Sequence, residues 1–266
     1  HINEDECNAP ELFTGGAKLT ALSTGDKLGP EALQKAIVDL ASRGVHGPQL
    51  GPISLTQVSE KGTLYTLDEI DVLVAIAKAY GMPVHMDGAR FANALVALNC
   101  SPAEMTWKRG IDALSFGCSK NGLMSAEAVI FFDPSCAWEF ELRRKRAGHL
   151  FSKYRFLSAQ MKGYLDNDLW LTLARQANEN ATYLANQLSA LSHVTFDYPQ
   201  EANMIFVNFA RKFHHRAIEA GATYNFYGKS HDDYGPVDEV LHARLVCDWS
   251  IKKSDIDRFV RLISEN

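Results

Sequence analysis

"TLDEIDVLVAIAKAYGMPVHMDGARFANAL", Thr66 to Leu95, decides the fold. Its first part is strongly amphipathic at helical spacing. Thr66 stands at the N-cap, Glu69 at the capping-box position and Gly81 at the stop. "MPVHMD", Met82 to Asp87, then reads as a buried strand ending in an acid, and "ARFANALVALN" returns to helical spacing. A helix, a strand and a helix in direct succession are the working unit of an α/β sheet. Asp87 falls at the carboxyl end of the strand, where open α/β sheets bind ligands.

The same alternation continues outward. "PEALQKAIVDLASR" (Pro30–Arg43) is a helix with proline at its start, and "PISLTQV" (Pro52–Val58) a short strand. "IDALSFG" (Ile111–Gly117) and "AEAVIFF" (Ala126–Phe132) are strands flanking Lys120. Strands separated by helices predict a mostly parallel sheet covered on both faces. From Ala137 the character changes. "AWEFELRRKRAGHLFSKYRFLSAQMKGYL" and "DLWLTLARQANENATYLANQLSAL" are long helical stretches. After them come strands "HVTFDY", "NMIFVNF" and "HARLVCDW", the helix "RKFHHRAIEAG", and a closing helix capped by Ser254. The expected organisation is a large domain over 1–136, connecting helices over 137–182 and a small α+β domain over 183–266. No internal repeat or low-complexity segment interrupts it.

Of 266 residues, 46% are apolar and 22% charged, an ordinary globular composition. The net charge of −5 gives no electrostatic bias toward nucleic acid or an anionic membrane. Five scattered cysteines without a CxxC pair fit reduced, cytoplasmic usage. No apolar run is long enough to span a bilayer, and no signal-peptide layout opens the chain. No HExxH or other metal-ligand spacing occurs among the nine histidines, and His214–His215 read as a solvated helix face. The first residue is His1 rather than methionine, which reads as an internal start.

Each candidate residue has an ordinary reading. Asp87 alone could equally cap the next helix. His85, two residues earlier on the same sheet face, reads as a satisfied buried histidine. Lys120 alone is a loop charge. Together they mean more. A strand-end acid followed by a lysine in the next strand-end loop, among Gly117, Ser119 and Gly122, matches the design of pyridoxal-phosphate sites. There the acid pairs with the pyridine nitrogen, and the lysine loses its proton to form a Schiff base.

"HMDGARFANAL", "SFGCSKNG" and "ARLVCDW" resemble the low-specificity L-threonine aldolases of the β-eliminating lyase group, which are fold-type I pyridoxal-phosphate enzymes. The resemblance extends to "RRKRAGHLFSKYRFLSAQM" and "DLWLTLARQAN", nearly the whole chain. It implies the aspartate aminotransferase-like fold, with the cofactor in the large domain. It also implies cleavage of a β-hydroxy-α-amino acid, of threonine or allo-threonine type, to glycine and an aldehyde. Residue by residue, Asp87 matches the pyridinium partner and Lys120 the Schiff-base lysine, with Ser119 beside it. Arg90 and Arg244 match the arginines that bind the substrate carboxylate, a task suited to forked donors. His1, in a His-x-x-x-x-Glu context ending at Glu6, matches the histidine stacked on the cofactor ring. The resemblance also implies a homodimer or homotetramer with the active site at the interface.

Departures from the family leave gaps. Its Glu-Asn-Thr-His stretch is replaced here by "SLTQVSEKGTLYT", which has no histidine. The base for the β-hydroxyl is then either His1 through an ordered water or Glu60. The phosphate-contacting arginine has no clear match; Lys153, with Arg155 close by, is the candidate. The family's Gly-Thr/Ser-rich phosphate cup lies upstream of the matched region. The chain is therefore expected to lack part of the phosphate site and one or more sheet strands. Two alternatives remain. One is β-elimination or a phenylserine-type aldolase, which the aromatic segment "FYGKSHDDYG" leaves open. The other, of a different class, is a non-catalytic fragment or binding subunit.

Overall fold

In chain order the elements are α1 (Ala9–Thr14), α2 (Pro30–Ala41), β1 (Ile53–Thr56), α3 (Leu67–Ala79), β2 (Val84–Gly88), α4 (Phe91–Leu98), α5 (Pro102–Met105), β3 (Ala113–Phe116) and β4 (Ala128–Phe131). The chain continues through α6 (Ala137–Arg146), α7 (Arg155–Leu165), α8 (Leu169–Ser189), β5 (Thr195–Phe196), β6 (Met204–Ala210), α9 (Arg211–Glu219), β7 (Asn225–Phe226), β8 (Val240–Val246) and α10 (Lys253–Ile263). The structure is a computed structural model and describes residues 1–22, 25–228 and 234–264. Residues 229–233 of the "FYGKSHDDYG" segment lie outside the described residues.

The first sheet has strand order β1-β2-β3-β4. β1, β2 and β3 are parallel, and β4 runs antiparallel to β3. The turn of chain that carries Lys120 is too short for a crossover, so β4 must return alongside β3. The two faces differ. Leu55, Val84, Met86, Leu114 and Phe116 are buried against Ile70, Leu73 and Val74 of α3 and Phe91 and Leu95 of α4. Burial of each such side chain is worth about 1.5–3 kcal/mol. The expected capping box of α3 is present, with Thr66 accepting from Glu69 and the Glu69 side chain returning to Thr66. On the opposite face the register aligns Thr56, Asp87 and Ser115 in one row, and Ser54, His85 and Ala113 in another. Phe140 of α6 packs on Phe131 at the edge of this face, with ring centroids 5.3 Å apart.

The second sheet, order β5-β6-β8-β7, is antiparallel throughout. One of its faces, with Ile205, Val207, Phe209 and Ala243, is covered by α9, α10 and the later turns of α8. The other face, through Met204 and Phe206, joins the core of the first sheet. α8 serves both cores: Ala174 packs in the first, while Ala181, Leu184 and Leu188 pack in the second.

Three sequence expectations need correction. The stretch after Ala137 is not one helix. α6 buries no residue, Gly148 and Lys153 take positive φ values of 80° and 64°, and α7 starts afresh at Arg155. Without an apolar face to bury, a longer helix gains nothing from packing. Ser254 is not the cap of α10. The carbonyl of Lys252 already accepts from Asp255 and Ile256, so Lys252 is the N-cap and Ser254 lies inside the first turn.

The histidine pair is not a solvated face either. His215 is exposed, whereas His214 is fully buried, stacked on Phe209 at 3.8 Å with Nδ1 3.0 Å from the Tyr224 hydroxyl. Burial, with added repulsion from His215 and Arg211, pulls its imidazole down to about 4. The unfolded chain takes up this proton near pH 6.5, and the native state only near 4. Stability from this group is therefore full above pH 6.5 and falls across that window by about 3 kcal/mol. Urea unfolding at pH 7 and pH 4.5 should show a smaller acid loss in His214→Phe than in the wild type. Equal losses would refute the assignment.

Candidate active site

The site is built where the β2 and β3 strand ends touch. The N–H of Gly117 donates to the carbonyl of Gly88 at 3.0 Å. A Cβ on Gly117 would lie 2.5 Å from the backbone of Ala89, and one on Gly88 would lie 2.8 Å from the carbonyl of Ser115. Only glycine permits this approach, which places Asp87–Arg90 directly against Phe116–Ser119. Asp87 is half-buried, and its Oδ1 accepts from the N–H of Ala89 at 2.9 Å. That bond stays within its own turn and leaves Oδ2 available. Beside it His85 bridges two serines, with Nδ1 2.8 Å from Ser54 Oγ and Nε2 2.9 Å from Ser115 Oγ. Burial holds its imidazole below the ordinary value, against the pull of Asp87. His85 is the satisfied histidine that its sequence context suggested.

Lys120 lies in a single 3-10 turn, Ser119–Asn121. Its side chain is exposed, and its amine makes no hydrogen bond or ion pair among the described residues. The turn around it is tightly held. Asn121 is buried and donates to the Tyr164 hydroxyl at 2.6 Å and to the Trp170 carbonyl at 2.9 Å. Gly122, at φ 124°, leaves room for Leu173 and the Trp249 ring. Glu127 accepts from the N–H groups of Cys118 (2.7 Å) and Ser119 (3.1 Å).

Arg90 follows Asp87 at the start of α4, and Arg244 comes from the second sheet. Burial and the positive field of Arg244 lower Arg90 to about 10, while Glu60 and Asp87 pull the other way. Two guanidinium groups thus come near each other, one from the start of α4 and one from the second sheet. Each has its Nε buried without a partner. An unpaired buried donor costs about 1–3 kcal/mol, more when charged, unless a ligand satisfies it. His1 adjoins through Glu60: its backbone nitrogen lies 3.4 Å from Glu60 Oε1, and its Nδ1 lies 2.6 Å from Glu6. Glu60 is fixed by its turn, because Asp26 accepts from Ser59 Oγ, Thr63 Oγ1 and the N–H of Lys61.

The structure brings Asp87, Arg90, Arg244, Glu60 and His1 together, with Lys120 and Ser119 on the adjoining loop. It does not join Lys153 to them. Lys153 is exposed in the turn before α7, with no contact to these residues among those described. Glu127, Asn121 and Trp249 are the neighbours of the Lys120 turn that sequence reasoning missed. Glu127 acts across eight residues of loop, a spacing without a motif. A lone acid opening the apolar run "AEAVIFF" was the available signal.

These residues fit pyridoxal phosphate. An unpaired lysine, a strand-end carboxylate with a free oxygen and two arginines whose buried Nε atoms lack a partner supply the donor set such a cofactor and its amino-acid partner need. The fold is that of the fold-type I pyridoxal-phosphate enzymes. It superimposes on a Leishmania major threonine aldolase with TM-score 0.86 at 24% identity, over 99% of this chain and 74% of that one. The Beta-eliminating lyase profile matches residues 1–212, and the chain belongs to that family. A low specificity L-threonine aldolase from a Pseudomonas species is 38% identical over 96% of this chain and 71% of its own length. One from Pseudomonas aeruginosa is 39% identical over 97% of this chain and 70% of its own length.

The Gly117–Ala89 approach gives a direct test. Gly117→Ala must push the two strand ends apart and should cost about 1–3 kcal/mol, read as a lower melting temperature. Melting at the wild-type temperature would mean that the contact is not tight.

Proposed function

We infer that the chain is a pyridoxal-phosphate-dependent carbon–carbon lyase. Its reaction is the retro-aldol cleavage of threonine- or allo-threonine-type β-hydroxy-α-amino acids to glycine and an aldehyde. The observation that carries this is the pair of arginines with buried, unsatisfied Nε atoms, Arg90 from the start of α4 and Arg244 from the second sheet, within reach of each other's charge beside Asp87. Its strongest support outside the structure is the similarity to the two Pseudomonas aldolases.

The roles follow from placement. Lys120 would hold the cofactor covalently, Asp87 its pyridine nitrogen, and His1 its ring face, with Ser119 lining the turn. Lys153 is the candidate for the phosphate on the resemblance alone. When bound, the cofactor supplies an electron sink for the pair left at Cα. Arg90 and Arg244 grip the substrate carboxylate and fix rotation about Cα, so that the bond to Cβ is the one aligned to break. Glu6 engages Nδ1 of His1, which selects the tautomer and leaves Nε2 as the free ring nitrogen. That nitrogen, acting through a water, or the carboxylate of Glu60 takes the β-hydroxyl proton. Either contributes about 10²–10⁴-fold.

A second reading, β-elimination or a preference for phenylserine-type substrates, rests on one observation. Phe206 pairs with Arg244 in the sheet register, and Tyr227 and Tyr198 pack edge-on against Phe206 at 5.1 and 5.6 Å. The partly buried Tyr198 and Tyr227 around it would be the side chains to meet an aromatic β-substituent. Assembly into a homodimer or homotetramer is supported by Trp138, Phe151 and Phe156, apolar side chains 55–68% exposed around α6 and α7. Among the described residues no helix is long and apolar enough to cross a membrane. The five unpaired cysteines suit a cytoplasmic setting.

Glycine release should be assayed against threonine, allo-threonine and phenylserine. The wild type should release glycine from at least one of them, and Lys120→Ala from none. Arg244→Ala should raise KM by about 30–150-fold, the loss of one charged hydrogen-bonded contact of about 2–3 kcal/mol. Cofactor binding without glycine release, with ammonia and a keto acid formed instead, would replace the aldolase reading by elimination.

A further inference from the structure

The turn that carries Lys120 is gripped from both sides, while Lys120 itself is left unpaired. On the side after the lysine, Asn121 is sunk between α7 and α8 through its bonds to Tyr164 and Trp170. Gln160 of α7 accepts from the N–H groups of Met124 and Ser125 at 3.1 and 3.4 Å. On the side before the lysine, the two consecutive N–H groups of Cys118 and Ser119 both point at the Glu127 carboxylate, one to each oxygen. Cys118 is fully buried, so its N–H has no solvent to fall back on. Bonds from amides to a carboxylate are charge-assisted and roughly twice as strong as neutral ones. A two-point contact also fixes the orientation of the peptide plane between Cys118 and Ser119. The Cα of Lys120 comes one peptide later.

We propose that Glu127 is a positioning residue for Lys120: through the N–H groups of Cys118 and Ser119 it sets the point and direction from which the lysine leaves the turn. The proposal rests on the reading of Lys120 as the residue that joins the cofactor. It assigns to Glu127 a role that neither its chain position nor any contact with substrate would give. Asn121 and Gln160 keep the turn folded. Glu127 fixes its entry, and a flexible side chain of four carbons amplifies any rotation at its root.

The test uses the 266-residue chain with Glu127→Ala and Glu127→Gln, and Lys120→Ala as the blank. Glutamine keeps one acceptor oxygen and replaces the other by a donor, so it retains one of the two bonds; alanine loses both. Pyridoxal phosphate is titrated into each cofactor-free protein, and the visible band gained on joining to lysine is read. Cofactor-free melting temperatures are recorded in parallel. Glu127→Ala should need about tenfold or more cofactor for half of the band, and its kcat should fall more than its KM rises. Glu127→Gln should fall between alanine and wild type, with both cofactor-free variants melting close to wild type. A wild-type titration and kcat in Glu127→Ala would overturn the proposal. So would a loss of band in both variants that simply follows a loss of folding. A wild type that forms the band but releases no glycine would sink the aldolase reading and leave the positioning role standing. A wild type that forms no band would remove both.

Discussion

Gly117 and Ala89 meet with no room for a side chain between them, and the site depends on that contact. β2 and β3 are parallel neighbours, so their carboxyl ends emerge side by side. In most sheets the loops that follow diverge to clear each other. Here the absence of a Cβ on Gly117 and Gly88 lets them stay in backbone contact, sealed by the Gly117–Gly88 hydrogen bond. Asp87 and Lys120 are far apart in sequence, yet they start from adjacent points of one rigid seam. A carboxylate and an amine held this way need no long ordered loop to bring them together, and the entropy of ordering is met by the sheet itself.

The pair of arginines is assembled differently. Arg90 belongs to the first sheet's helix layer and Arg244 to the middle of the second sheet, so their mutual repulsion is a consequence of how the two sheets pack. The unsatisfied Nε atoms and the lowered affinity of Arg90 for its proton are local costs held in place by burial. They are offset when an anion arrives. Binding sites commonly keep such strain, because a pocket satisfied by its own protein has nothing left to offer a ligand.

Much of this was legible in the sequence because periodicity and punctuation both point the same way around Asp87. The capping box at Thr66, the stop at Gly81 and the acid after "VHM" locate β2, and the Gly-rich flanks of Lys120 locate the next strand end. The long-range partners were not legible. Glu127 reaches back to Cys118, Asn121 reaches forward to Trp170, and Trp249 arrives from beyond β8; none of these pairs has a spacing rule. The misread positions share one cause. His214 and His215 look alike as adjacent polar residues, and only the tertiary packing of Phe209 and Tyr224 decides that one of them is inside. The break between α6 and α7 likewise follows from how little of α6 is buried, which helical propensity does not register.

α8 anchors its first half in one hydrophobic core and its second half in the other. Asn180, at the middle of the helix and buried, donates to the carbonyls of Asp248 and Ile251 just past β8. The strand carrying Arg244 and the loop carrying Lys120 are therefore referenced to the same axle. Altered side chains on the outer strands of the second sheet can change the surroundings of Arg244 without shifting Lys120. The neighbourhood of one can drift in this architecture while that of the other stays put.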